Sequence, residues 1–256
     1  MKKTLSILSL IVILVVAMCS MVGCGGSDSD SGVLIAGTEP TYPPFESADE
    51  DGNIVGFDVD LLNAIAEDQG FEVKFQSFEF DALIPAVQSD SCDLIAAAMN
   101  VTPERAEEVD FSDTYFASAK TVLVQKDNTT ITSPEDFTPD MKVAAQIGTS
   151  EADYVQQLAT DGKIKEAVVL NQTTQCILQL QNGDVEAVVM DAPVANVYIA
   201  KNADTVKSLD AEIDPADMAF AVKKGNTELL DKLNAGLKNV VENGTYDKLV
   251  AKWFAE

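Results

Sequence analysis

From residue 33 onward the chain alternates short runs dense in Val, Ile, Leu and Phe with longer runs whose apolar positions recur at helical spacing. Residues 33–36 predict a first strand. Residues 57–69 predict a helix, with Val59, Leu62, Ile65 and Ala66 along one face and Gly70 where a left-handed stop belongs. Residues 71–75 alternate as a strand and 80–88 read as a short helix. Residues 93–97, apolar on both faces, predict a buried strand. Thr102-Pro103 supplies an N-cap and a preorganised first helical position, which places Arg105 in an opening helical turn. A second series follows, with strands at 122–124, 143–145, 168–170 and 185–190. Ser133-Pro134 repeats the capping pair, with Glu135 and Asp136 behind it, and Asn182-Gly183 marks a helix end. The chain closes with a strand at 218–222, an amphipathic helix at 229–241 stopped by Gly244, and a last helix carrying Trp253 and Phe254. Such alternation predicts an α/β fold with mostly parallel sheets.

Composition narrows what this body does. With 256 residues, 46% of them hydrophobic, the chain can build one bilobed unit or two ordinary domains. Its 17 basic against 42 acidic residues give a formal charge of −25, which argues against nucleic acid or an anionic membrane surface as partner. There is no histidine, so a mechanism built on an imidazole base is excluded and the commonest zinc sets lose their nitrogen ligand. No metal and no cofactor are indicated: there is no phosphate-cradling glycine loop and no His/Cys cluster.

The first two dozen residues read as a targeting leader, with Lys2 and Lys3 ahead of an apolar stretch at 5–22. Gly23-Cys24 at its end is similar to the bacterial lipoprotein box, in which the cysteine is acylated. Residues 1–23 are thus expected as signal peptide, Cys24 as the lipidation site and 24–32, rich in Gly, Ser and Asp, as a flexible tether. An ordinary secretory signal or a single membrane-spanning anchor is the plainer alternative. Cys92 and Cys176 remain in the folded body, far apart and beside apolar stretches, and are expected to pack as small hydrophobes.

Several residues stand where chemistry is expected. Arg105 is the only arginine in the chain, and its planar fork binds a carboxylate through two parallel hydrogen bonds, although a surface ion pair with Glu104, Glu107 or Glu108 would serve as well. Gly148-Thr149-Ser150 joins a strand to a helix and offers free backbone N–H groups to an anion; simple capping by Thr149 or Ser150 is the plainer reading. Asp191 follows a strand and precedes Ala192-Pro193, so it suits a ligand ammonium, an N-cap or both. Tyr42 and Phe80 lie past strand carboxyl ends, where open α/β sheets bind ligands; core packing is their alternative.

The motifs occur together and in order: GTEPTYPPFE at 37–46, GFDVDL at 56–61, FDALIP at 80–85, VTPER at 101–105, DFSD at 110–113, GTS at 148–150, Asn182-Gly183 with Asp191, and NGTY at 243–246 ahead of KWF at 252–254. In this the chain closely resembles the amino-acid-binding receptors of bacterial ABC importers, the polar amino acid group of extracellular solute-binding proteins, family 3. The resemblance implies a periplasmic-binding-protein-like fold of two α/β lobes joined by two hinge strands. The first lobe would be discontinuous, comprising 33–117 and 219–256, with 118–218 as the second. It implies a binding protein, not an enzyme: a monomer held outside the cytoplasm by the lipid on Cys24, passing a free amino acid to permease and ATPase subunits. Carried over by position, Arg105 would hold the ligand carboxylate with backbone N–H groups at Thr149 and Ser150. Asp191, the Ala98 carbonyl and the Asn100 side chain would hold the α-ammonium, and Tyr42 and Phe80 would clamp the ligand side chain. Ala98 and Asn100 depart from the small Gly, Ser or Thr common there.

Glu39 is placed where a carboxylate could face the far end of the ligand, with Gln146 and Asn100 adding hydrogen bonds, so arginine, lysine or histidine is the expected ligand; glutamine and cystine are the alternatives. Two rival classes share the resemblance. A dehydratase-like enzyme acting on cyclic acids would use Glu39 or Asp191 as acid or base. A ligand-binding subunit of a signalling receptor would need a separate membrane partner.

Overall fold

The computed structural model describes residues 32–254; the expected signal peptide, Cys24 and the tether up to residue 31 lie outside the described residues. In chain order the first lobe begins with β1 (Val33–Thr38), β2 (Thr41–Tyr42), β3 (Glu46–Ala48), β4 (Ile54–Val55), α1 (Phe57–Gln69), β5 (Glu72–Ser77), α2 (Leu83–Gln88), β6 (Leu94–Ile95), α3 (Pro103–Glu108) and β7 (Val109–Phe111). Strand β8 (Phe116–Gln125) leads into the second lobe, made of β9 (Lys142–Gln146), α4 (Ser150–Thr160), β10 (Glu166–Leu170), α5 (Thr173–Asn182), β11 (Ala187–Asp191) and α6 (Ala192–Lys201). Strand β12 (Val206–Met218) returns to β13 (Ala221–Lys223), α7 (Thr227–Glu242) and α8 (Thr245–Phe254).

Each lobe is built on one five-stranded sheet, in the orders β5-β1-β6-β13-β7 and β10-β9-β11-β8-β12. The first sheet takes strands from both ends of the chain, so the first lobe is discontinuous. In both sheets the central strands run parallel, β1 beside β5 and β6, and β9 beside β10 and β11. Strands β8 and β12 are antiparallel partners, and their pairing runs to Phe116 opposite Met218 at the junction between lobes. That junction is filled by aromatic rings. Phe45, Phe57, Phe116 and Phe254 lie with centroids 4.7–6.2 Å apart, mostly edge to face, and Tyr115 lies 4.6 Å from Phe220. Edge-to-face pairs add roughly 0.5–1.5 kcal/mol each beyond area burial, so the first lobe is firmly packed where it meets the β8–β12 ribbon.

Helix α1 shows why local sequence sets local structure. Phe57, Leu61, Leu62 and Ile65 are fully buried on one face, each contributing about 1.5–3 kcal/mol by leaving water, and Gly70 takes the left-handed stop. At its other end Gly56 has φ 153°, and a Cβ there would overlap the Phe45 carbonyl. Glycine lets the loop at 44–45 lie on the helix start, where Phe57 N–H donates to Pro44 O and Asp58 N–H to Phe45 O.

Two strands differ from the sequence expectation. The ladder expected over 93–97 is confined to Leu94–Ile95; Ala96 N–H still donates to Gly37 O, and the extended run then ends at Ala98, which takes φ 45°. The strand expected at 218–222 is divided: Met218 closes β12, and Ala219 and Phe220 cross between sheets, their N–H groups donating to Met99 O and the Ser112 hydroxyl. Cys92 and Cys176 are free and buried, and burial pushes their thiols up to about 11 and about 12.

Gly56→Ala should lower the melting temperature by about 5–10 °C in scanning calorimetry, since it adds a backbone overlap to a φ unsuited to alanine. An unchanged melting temperature would mean the 44–45 loop is not seated on the helix.

Candidate functional site

The parallel strands of both sheets deliver their carboxyl ends to one cleft, the place where open α/β sheets collect functional groups. β1 leads to Glu39 and Tyr42, β6 to Ala98 and Asn100, β9 to Gln146, Thr149 and Ser150, and β11 ends in Asp191. Tyr42, Phe80, Ala98, Asn100, Gln146, Thr149 and Asp191 line a common chamber, joined by Glu151. The chamber measures about 10 Å³, room for one water-sized molecule.

Hydrogen bonds cross from lobe to lobe throughout. Tyr42 Oη donates to Asp191 Oδ2 at 2.7 Å, Gln146 Nε2 to Glu39 Oε2 at 3.2 Å, and the Ser150 hydroxyl to Asn100 Oδ1 at 3.0 Å. Arg105 is buried and does not pair with its helical glutamate neighbours; Nη1 donates to Asn100 O at 2.7 Å and Nη2 to Gly148 O at 2.9 Å. Thr102 caps α3 by accepting from Arg105 N–H, and the guanidinium lies 5.4 Å from the centre of the Phe80 ring. Gly148 is required there, because at φ 75° a Cβ would stand 2.8 Å from Asp81 Cβ across the cleft.

The site residues expected from sequence take different places. Thr149 is an N-cap, accepting from Ala152 N–H at 3.1 Å while it lines the chamber. Asp191 sits at the N-cap position of α6 but makes no capping bond; its oxygens accept from Tyr42 and from the Ser118 hydroxyl. Asn100 differs from its expected part beside an ammonium, since Oδ1 is taken by Ser150 and the open atom is the donor Nδ2. Glu39 is buried behind Gln146 rather than on the chamber wall, and it accepts from the Thr41 hydroxyl at 2.7 and 2.9 Å. Arg105 and Ser150 likewise stand off the wall of this chamber, and Arg105 opens onto a neighbouring hollow with Phe80 and Gly148.

Carboxylates dominate the electrostatics. Burial, reinforced by Glu151, pushes Asp191 up to about 8 despite its two hydroxyl donors. Burial likewise raises Glu151 and Glu39, and holds Tyr42 well above its ordinary value. The nearby cations are Arg105, whose own value burial lowers, and the buried Lys120. Beneath the cleft Asp58, raised to about 7 by burial, accepts from Ala98 N–H at 2.8 Å and Tyr115 Oη at 2.6 Å. Ala98, held in a left-handed conformation that few non-glycine residues adopt, is thereby fixed by a buried acid.

Sequence reasoning missed Glu151, Thr173, Ser118 and Lys120. Thr173 donates to Gln146 Oε1 at 2.9 Å and so orients that amide toward Glu39. Glu151 carried a signal, an acid one residue past the GTS turn, but acids are ordinary in first helical turns.

The profile of the bacterial extracellular solute-binding proteins, family 3, matches residues 34–256. The arginine-binding extracellular protein ArtP of Bacillus subtilis is 35% identical, over 94% of this chain and 96% of that one. Among solved structures, an ancestral arginine-binding protein bound to arginine superposes with a TM-score of 0.84 at 40% identity, covering 88% of this chain and 99% of that one. The ancestral amino acid-binding protein AncCDT-1, a precursor of cyclohexadienyl dehydratase, gives 0.79 at 39% identity, with 87% and 96% covered.

The folded state, with its carboxyl pKa values raised, holds more protons than the unfolded chain, so stability falls as pH rises between the two sets of values. The melting temperature of the ligand-free protein should fall from about pH 5 to about pH 8, and Asp191→Asn, which removes one such carboxyl, should shallow that slope. A melting temperature that rises over this range would show the cleft acids ionised in the fold.

Proposed function

This chain belongs to the bacterial extracellular solute-binding proteins, family 3, and on that premise we propose that it captures a free amino acid outside the cytoplasm and delivers it to the permease and ATPase subunits of an ABC importer. The observation that carries this reading is a buried guanidinium, Arg105, held at the same inter-lobe cleft as a buried carboxylate, Asp191. An amino acid matches that polarity: its carboxylate suits the arginine fork and its ammonium suits Asp191.

In this reading Arg105 takes the ligand carboxylate with the N–H groups of Thr149 and Ser150, and the free Asn100 Nδ2 assists it there. Asp191 and the Ala98 carbonyl take the ammonium, and Tyr42 and Phe80 flank the side chain. The ligand is basic: arginine, lysine or histidine. Support comes from the carboxylates Glu39, Glu151 and Asp191 set against the cations Arg105 and Lys120, a balance that a ligand of net charge +1 improves. The names of the ArtP relative and of the arginine-bound structure point the same way. Opening and closing of the 33–117/219–256 lobe on the 118–218 lobe bends β8 and β12 near 117–119 and 215–219, and ligand binding stabilises the closed form. A lipid on Cys24 anchors the monomeric receptor to the membrane. Similarity to a dehydratase precursor does not favour catalysis, since that protein is itself described as amino acid-binding.

A thermal-shift screen of the body without leader and Cys24, against the common amino acids, should give its largest rise with basic ones; saturation near 100 Kd adds about 2.7 kcal/mol of stability. Arg105→Ala should weaken the best ligand about 100-fold or more, as loss of one partner of a buried charge pair does. Glu39→Gln should weaken basic amino acids while sparing neutral ones. A screen in which a neutral amino acid binds tightly and no basic one does would refute the basic assignment.

A further inference from the structure

Glu151 reaches the cleft from the first turn of α4 and is 2% exposed. It lines the chamber with Asp191, Asn100 and Tyr42, and also an adjoining recess that extends to Thr173 and Cys176. Its Oε2 lies 3.4 Å from the Ser150 hydroxyl, whereas Oε1 is buried with no donor among the described residues. Asn100 Nδ2 is a second buried, unpartnered polar atom on the same wall. Open buried polar atoms are costly, and here one is an acceptor and the other a donor. A guest with an ammonium group and a carboxylate satisfies both.

We propose that Glu151 is a specificity-determining residue of the cleft: with Asp191 it forms a two-carboxyl cradle for the ligand ammonium, and a cation seated in that cradle displaces one proton from the pair to solvent. This rests on reading the cleft as an amino acid site. The charged and titratable groups around the pair are Lys120 from β8, Arg105 from α3, Tyr42 from β2 and, behind Gln146, Glu39. The cations favour ionised carboxyls, but burial and the mutual repulsion of Asp191 and Glu151 outweigh them, and Asp191 is pushed up to about 8. Near neutral pH the empty pair therefore keeps a proton. An ammonium between the two oxygens favours the doubly ionised form; one carboxyl O–H bond breaks, its proton passes to the buffer, and no other covalent bond changes. Binding tightens as pH rises toward about 8 and levels off above it.

Calorimetry of the mature body with L-arginine, L-lysine, L-histidine, L-glutamine and L-cystine at about pH 7, in phosphate and in Tris, counts the protons released through the difference in apparent heat between buffers. Wild type should release close to one proton per ligand bound. Glu151→Gln should release clearly fewer protons than wild type and bind about tenfold or more weaker, because the repulsion that helps raise Asp191 is gone while its burial remains. Glu151→Asp should restore proton release with intermediate affinity. Wild-type affinity in Glu151→Gln, or no proton release by wild type, would overturn the proposal. If all three basic amino acids fail on wild type while L-glutamine or L-cystine binds with proton release, the basic-ligand assignment falls and the role of Glu151 stands, since every amino acid brings the α-ammonium. If none of the five binds, both fall. Should Glu151→Gln fail to fold by thermal melting, Glu151→Asp decides alone, and unchanged affinity in it refutes the cradle.

Discussion

The hydrogen bond from Tyr42 to Asp191 is the contact on which the cleft turns. It ties the end of β2, just past β1, to the last residue of β11, so one bond joins the two lobes. It also keeps a buried carboxylate in place where burial alone would work against the charged form. Ser118 adds a second donor from β8, which makes Asp191 the point where both lobes and a crossing strand meet. Around it the cleft groups satisfy one another: a tyrosine hydroxyl serves Asp191, backbone carbonyls accept from Arg105, and an amide serves Glu39. Under the proposed function, a guest that offers better partners replaces those bonds.

The surrounding packing lets such an exchange happen without unravelling the fold. The aromatic rings at the junction all belong to the first lobe, α8 included, and they lie away from the polar wall of the chamber. The link between the lobes is the long β8–β12 ribbon, whose register slips between Ser208 and Glu212 and again between Ile213 and Pro215. An interrupted ladder bends at lower cost than a regular one. Phe116 opens β8 and Ser118 reaches Asp191 from it, so aromatic cluster, ribbon and polar cleft meet along one strand.

Much of this was legible in the sequence, and the failures have physical causes. Helix α1 was readable to its ends, because apolar spacing, the GF step and Gly70 are local signals that tertiary structure did not overrule. The capped turn at Thr102-Pro103 gave the position of Arg105, yet three nearby glutamates made a surface ion pair equally plausible. Only the opposite lobe, through Gly148 O, shows where the guanidinium goes. Asp191 looked like a cap by sequence and is one by position alone, because Tyr42 is 149 residues away in the chain. Glu151 was passed over for the same reason: an acid in a first turn explains itself locally, and the cleft it lines is walled by residues distant in the chain. The strand expected at 218–222 is divided where the chain passes between lobes, and the hydrophobic run at 93–97 says nothing of the turn at Ala98 that follows it.

The two sealed cysteines have a practical consequence. With thiols pushed up to about 11 and about 12, Cys92 and Cys176 offer almost no thiolate at neutral pH. A soluble body cut free of Cys24 thus presents alkylating dyes with a nearly blank surface. One cysteine introduced at an exposed position near the cleft, such as Glu79 beside Glu39, would take label selectively. Its fluorescence would then report the approach of the two lobes, turning a nutrient receptor into an optical gauge of the metabolite it holds.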